Sequence, residues 1–488
     1  MSSNTPATRA WQHRAWQHRA GELGDRIPTG FRIGTASSAF QIEGGARDGG
    51  RAESTWDAFT RQSGRILDSQ NASIATDHIG KVTEDVTLLR ELGADIYSFS
   101  FAWPRLQPDG RGALNRSGLA FYDRLLDELL TNGISPMATL HHWDTPAALR
   151  GGWLNRDTAL RFGDYAHQMG EVFGDRIDSW VTVHEPATVT INGYMLGLHA
   201  PGQTLLFDAL PAAHHQLLAH GLAVQGLRAA DVRGQIGLAN AHSPVQPATD
   251  RETDRDAAGL YDLLYNRLFA DPVLLGRYPD PAGVFENELR YLHEIEPDDL
   301  RTIHQPLDFY GLSYHQPSRL AAGVAAAAAA PAGPAADSPA PPRLPFRFEA
   351  FREHPVTGSG APNAPEYLPV ALAELRDRYA EALPPVYVSQ AGGSFPDRPD
   401  IRGAVDDPDR IDYLAEHLIA AIEAVAPGGG AEGVTLRGYL IRSLLDGFEW
   451  QDGYTQRLGL VNVTFTDPSR PRTPKQSYSW LQHVLSTR

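Results

Sequence analysis

Eight strand-length apolar runs alternate with amphipathic stretches from about residue 31 to the end of the chain. This alternation constrains the fold more than any other feature of the sequence. The runs cover residues 31–40, 94–101, 134–142, 177–184, 235–242, 307–315, 385–390 and 434–442. They are rich in Val, Ile, Phe, Tyr and Thr, and several are apolar on both faces, as strands buried in a parallel sheet are. Stretches between them, such as 84–92, 118–130 and 411–425, carry helical spacing. In the first, Leu88, Leu89 and Leu92 mark a buried face, and Asp85 is expected to cap the helix or face solvent. A strand-helix unit repeated about eight times predicts an α/β fold, a (β/α)8 TIM barrel. A single domain over residues 26–488 accommodates it, since barrels run longer than ordinary domains.

Two segments fall outside this rhythm. In residues 1–25, Arg9-Ala10-Trp11-Gln12-His13 is repeated at once as Arg14-Ala15-Trp16-Gln17-His18. No apolar signal core accompanies the repeat, so a poorly ordered lead-in and a cytoplasmic location are expected. Residues 321–345 are mostly Ala, Pro and Gly, and Pro331, Pro334, Pro339, Pro341 and Pro342 forbid a long helix. The segment reads as a flexible insertion on the face where strands end, rather than a structured lid.

Composition narrows the function. Against 59 acidic residues stand 43 Lys and Arg, a net charge of -16, which argues against nucleic-acid and anionic-membrane partners. No apolar run reaches the length of a membrane-spanning helix. The absence of cysteine removes disulfides, thiolate nucleophiles and Cys-ligated metals. The adjacent pairs His141-His142 and His214-His215 are poor chelators, because neighbouring strand residues face opposite ways. No phosphate-cradling Gly-rich motif and no Ser-His-Asp order stands out. No metal and no cofactor is therefore expected.

In such a barrel chemistry sits at the carboxyl ends of the strands. The polar and aromatic residues there are Gln41, Trp103, His142, Trp143, Glu185, Asn240, Ser313, His315, Gln390, Arg442, Glu449 and Trp450. Any one alone would ordinarily be a packing or capping residue. A ring that mixes Trp with hydrogen-bonding groups suits a sugar, whose apolar faces stack on aromatic rings while its hydroxyls take polar partners.

The motifs resemble glycoside hydrolase family 1, the β-glucosidase and β-glycosidase family, over almost the whole chain. The resemblance is carried by Ser38-Ala39-Phe40-Gln41-Ile42-Glu43-Gly44, Phe101-Ala102-Trp103-Pro104-Arg105, Thr139-Leu140-His141-His142-Trp143-Asp144 and Gly152-Trp153-Leu154-Asn155. Val181-Thr182-Val183-His184-Glu185-Pro186, His199-Ala200-Pro201-Gly202 and Ser443-Leu444-Leu445-Asp446-Gly447-Phe448-Glu449-Trp450 continue it. The resemblance implies that Glu185 is a general acid/base, that Gln41, His142, Glu449 and Trp450 hold sugar hydroxyls, and that Trp143 lines the pocket. It also implies a retaining mechanism, in which two carboxyl groups about 5–5.5 Å apart act as proton donor and nucleophile.

The departures from that pattern are grouped. The family's nucleophile lies in a Thr-Glu-Asn-Gly motif after the seventh strand, where this chain reads Ser389-Gln390-Ala391-Gly392. An amide is a poor nucleophile toward an anomeric carbon. The family's neighbouring Arg reads Ser98, its Asn before the acid reads His184, its sixth-strand Asn and Tyr read Ser313 and His315, and a nearby Trp reads Arg442. A lone Glu-to-Gln exchange would read as an engineered trapping substitution, but joint loss of a carboxylate and its Arg suggests a site rebuilt as a unit. Arg442 would either recognise an anionic group on a small-molecule glycoside or pair with Asp446 or Glu449.

Three functions remain open on the sequence. The first is an enzyme on a β-glycoside or sugar-like natural product, with Glu185 as acid/base and His315 or His184 as a further acid-base group. Its reaction would be inversion, transfer, elimination or isomerisation. The second is a catalytically silent sugar-binding pseudoglycosidase. The third is a conventional β-glucosidase in which Glu449 serves as a displaced nucleophile.

Overall fold

The computed structural model describes residues 19–280, 286–293, 295–323, 344–401 and 404–488. The first eighteen residues and most of the Ala/Pro-rich segment, 324–343, lie outside the described residues. Residues 19–24 are helical and bury Ala20 and Leu23 against the main core.

Eight parallel strands close into a barrel. They are β1 (Arg32–Ala36), β2 (Ile96–Ser100), β3 (Ser135–His141), β4 (Ser179–His184), β5 (Gln235–His242), β6 (Phe309–Tyr314), β7 (Val386–Ala391) and β8 (Leu436–Arg442). Each follows its sequence neighbour around the ring, and β1 closes on β8 with Arg32 opposite Gly438 and Ala36 opposite Arg442. All eight expected runs contain strands, most of them trimmed at one or both ends and the first most of all. The first stops at Ala36, because the Ser100 hydroxyl takes the Ala39 amide at 2.7 Å and turns Ala39–Ile42 into a single helical turn.

The crossovers include α1 (Val82–Leu92), α2 (Arg116–Thr131), α3 (Arg156–Phe173), α4 (Leu210–Ala229), α5 (Glu252–Asp262), α6 (Tyr367–Tyr379), α7 (Pro408–Val425) and α8 (Gln476–Ser486). Their boundaries have local causes. Asn115 and Asn155 cap α2 and α3 by accepting from Ser117 and Asp157 amides. Pro408 opens α7, and Gly93, with φ of 79°, ends α1. Asp85 neither caps nor faces solvent, contrary to expectation. It is buried on α1, takes Arg472 Nε and Nη2 at 2.8 and 3.0 Å, and sits 2.7 Å from His78 Nδ1. Burial raises its carboxyl, but His78 and Arg472 together outweigh burial and hold it below the ordinary value.

Two apolar layers result. The larger lies between sheet and helices. The smaller is a plug inside the barrel, formed by Ala36, Ile96, Met137, Val181, Ala239, Phe309, Tyr387 and Leu440, one from each strand. The plug separates the carboxyl ends of the strands from the opposite mouth. Gly34 lets β1 approach β2 so closely that an added Cβ would lie 1.8 Å from Ile96 O. Among the described residues, no helix is long and apolar enough to cross a membrane.

Candidate active site

Glu185 follows the last residue of β4, in a left-handed conformation with φ of 45°. Trp143 and Trp450 share that sparsely populated region, with φ of 77° and 53°. Strained backbone at three positions of one rim is the pattern of a site over-determined by its surroundings. Glu185 is 2% exposed. Its Oε1 lies 2.7 Å from His315 Nε2 and 3.4 Å from His184 Nε2, and its Oε2 accepts from the Thr188 hydroxyl at 2.9 Å. Burial raises the carboxyl, but His315 and His184 more than offset this and hold it well below the usual carboxylate range. The carboxyl is thus held toward its anionic form in direct contact with an imidazole nitrogen.

A second cluster lies across the rim. Gln41 Nε2 donates to Glu449 Oε1 at 2.9 Å and to Phe448 O at 3.0 Å, while Ser38 donates to Gln41 Oε1 at 2.8 Å. Arg442, the last residue of β8, donates to Glu449 Oε2. Of its two candidate acid partners Arg442 therefore takes Glu449. Asp446 is occupied by Lys475 at 2.8 Å and by the Gly459 amide at 2.9 Å. Burial raises the Glu449 carboxyl despite Arg442. A carboxyl held by two donors is poorly placed to act as a nucleophile.

Aromatic rings form the wall between these clusters. Trp143 lies 4.4 Å from Trp450, and Trp56 lies 4.5 Å from it on the other side. His142 stacks on His184 at 4.0 Å, and Trp143 Nε1 donates to His184 O at 2.9 Å. His142 is pushed far down by burial first and then by His184, and His199 is pushed down to about 4 by burial, so both rings are neutral near pH 7. His141 points the other way, toward Trp153 and Thr145, as alternation along a strand requires.

Gln390 is 7% exposed near the end of β7, opposite Ser313 across a bulge, and its amide has no hydrogen-bond partner among the described residues. The hydroxyls of Ser313 and Ser389 lie 3.1 Å apart beside it. Ser98 is buried on the inward parity set by Ile96, so the rim holds a small hydroxyl where the family pattern has a cation. Asn240 does not join this group. Ala239 fills the plug, so Asn240 faces the helices, where its amide donates to Phe269 O at 3.2 Å and to the Tyr310 hydroxyl at 2.9 Å. The assignment of Asn240 to the ligand is corrected accordingly.

A cavity of about 420 Å³ opens beside these groups. His199, His315, Arg442, Glu449 and Trp450 line it, together with Gly392, Gly393, Ser394, Thr357, Ser359 and Gly360. Sequence reasoning missed Thr188, Ser38 and the 357–360 segment. Thr188 and Ser38 sit within or beside quoted motifs and were within reach, whereas the loop has no periodic or compositional signal. Among the described residues, no group of three His, Cys, Asp or Glu could hold a metal.

An eight-stranded barrel with paired acid-base side chains and a tryptophan wall at its carboxyl rim defines a carbohydrate-active site. Residues 23–488 match the model of glycosyl hydrolase family 1, and the chain belongs to that family. It is 35% identical over 463 residues to β-glucosidase A of Thermotoga maritima, covering 94% of this chain and 98% of that protein. Thermostable β-glucosidase B of Thermobispora bispora is 39% identical over 477 residues, covering 97% and 93%. Among solved structures, the psychrophilic β-glucosidase BglU from Micrococcus antarcticus superposes with a TM-score of 0.85 at 39% identity, covering 94% of this chain and 97% of that one. The virulence factor SghA, solved with its substrate analogue salicin, gives 0.86 at 35% identity, covering 96% and 98%.

Proposed function

We propose that the protein cleaves β-glycosides by an atypical route. The Glu185–His315 pair supplies the proton to the glycosidic oxygen, and no enzyme-linked sugar forms at Gln390. The observation that carries this reading is the 2.7 Å contact between His315 Nε2 and Glu185 Oε1, together with an amide, Gln390, near the end of β7. Family membership and β-glucosidase relatives support a β-glycoside as the substrate class. Gln41, Glu449, His142 and Trp450 would hold the sugar, with Trp143 as wall. His184 is a positioning residue, since its ring stacks on His142 and its Nε2 faces Glu185.

The test is cleavage of a panel of β-glycosides, in plain buffer and with small inorganic anions added, with the first-formed anomer read by NMR. Inversion and no sugar adduct on the protein by mass spectrometry are expected. Retention with an adduct would overturn the reading. Binding of glycosides without cleavage under every condition would instead favour a silent sugar binder.

His315→Phe gives a sharper check. It removes the leading attraction that lowers the Glu185 carboxyl and leaves burial to raise it. The inflection belonging to Glu185 in the pH profile of kcat/KM should move up by at least about one pH unit. An unmoved profile would separate His315 from the proton-transfer centre. The same sign governs stability. The Glu185 pair stabilises the fold above the ordinary carboxylate range, and that contribution is lost as pH falls through the lowered folded-state value.

A further inference from the structure

The cavity beside the Glu185–His315 pair has walls that proton donation does not use. Two loops far apart in sequence meet there, Gly392–Ser394 after β7 and 357–360 from the crossover before it. The Gly358 amide donates to Ser394 O at 2.7 Å and pins them together. Ser394 lines the cavity, is 2% exposed, and its hydroxyl has no hydrogen-bond partner among the described residues. Such a buried, unpartnered donor requires an explanation, and an absent ligand is one. The hydroxyls of Thr357 and Ser359 stand 3.1 Å apart on the facing loop. A Cβ at Gly392 would lie 2.1 Å from Arg442 O, so only glycine lets this loop close on the arginine. Arg442 and His315 also line it, and so do the carboxyl groups of Glu449 and Asp452. Arg442 donates to Glu449 from the side of the bowl.

A guanidinium, a histidine, small hydroxyls and close-packed glycines form a bowl suited to a tetrahedral oxyanion. Gln390 lies two residues before Gly392 of this lining, and a carboxylate at that position would repel such an ion whereas an amide can donate to it. Resting on the reading above, we propose that inorganic phosphate binds in this bowl and supplies the nucleophile the chain lacks, so that β-glycosides are cleaved by phosphorolysis with inversion. A phosphate oxygen forms the bond to the anomeric carbon from the face opposite the leaving group. The bond from that carbon to the aglycone oxygen breaks, and its electron pair stays on the oxygen, which takes the proton of the Glu185–His315 pair. The new phosphate ester gives up a proton, which restores the pair. The products are an α-glycosyl phosphate and the free alcohol.

The experiment combines calorimetric titration of the full chain with sodium phosphate and 31P NMR of β-glycoside reactions run with and without it. Phosphate should bind, and Arg442→Met and Ser394→Ala should each weaken it, the former at least about tenfold. Phosphate should speed cleavage at least about tenfold, with α-glycosyl phosphate as product, and Gln390→Glu should abolish the stimulation. No phosphate binding, or binding indifferent to both the Arg442 and Ser394 variants, would overturn the proposal. So would cleavage at equal rates with free sugar as the sole product. That last result leaves β-glycoside cleavage standing, whereas no cleavage under any condition removes the underlying activity and phosphorolysis with it.

Discussion

Glu185→Gln should lower kcat/KM on β-glycosides by about 10²–10⁴, with KM little changed. The substitution keeps the shape that accepts from Thr188 and faces His315 but removes the anion that those groups surround. In the proposed function, Gln41 and Glu449 hold the sugar hydroxyls from the far side of the rim, so ground-state binding should survive. The loss should depend on the leaving group. An aglycone that departs readily as an anion needs little protonation and should lose least, while a simple alcohol should lose most. Steady-state kinetics on aryl and alkyl β-glycosides of graded leaving-group acidity decide it. Equal rates for both proteins across the series would remove Glu185 from the chemistry.

Lys475→Met should cost about 3–5 kcal/mol of folding stability. Lys475 is fully buried between Asp397 and Asp446, and Arg410 reaches the other oxygen of Asp397 at 2.9 Å. Asp397 lies in the loop after β7 and Asp446 in the loop after β8, so the ammonium joins the two segments that carry Ser394 on one side and Arg442 and Glu449 on the other. Removing it leaves Asp397 with Arg410 alone among the described residues, and Asp446 with the Gly459 amide and a long contact to Arg457 at 3.4 Å, both away from water. Lys81→Met is the matched control. Its partner Glu84 is a solvent-accessible neighbour at 2.9 Å, and such a pair is worth about 0–1 kcal/mol. Urea titration of both variants gives the comparison. A cost below about 1 kcal/mol for Lys475→Met would show that the network is not what holds these loops.

The barrel was legible because its strands are buried on two faces and therefore read as compact apolar runs. That same property hid Asn240. A run apolar on both sides does not reveal which side faces inward, and only the position of Ala239 in the plug settles it. Asp85 was misread for a different reason, since its partner Arg472 comes from a hairpin near the other end of the chain, beyond any local pattern. Glu185 was visible through its motif, but its contact with His315 was not. It joins the ends of β4 and β6, two strands separated in the ring by β5. Arg442 had two nearby acids, and the choice of Glu449 depended on Asp446 being held by Lys475 and Gly459.

The eight-membered plug has a consequence for ancestry. Because it isolates the working rim from the rest of the barrel, amino-acid replacements at the rim exert little leverage on folding. A lineage can then abandon one reaction and try another on an intact chassis. The chain keeps over a third of its residues in common with the β-glucosidases of Thermotoga maritima and Thermobispora bispora.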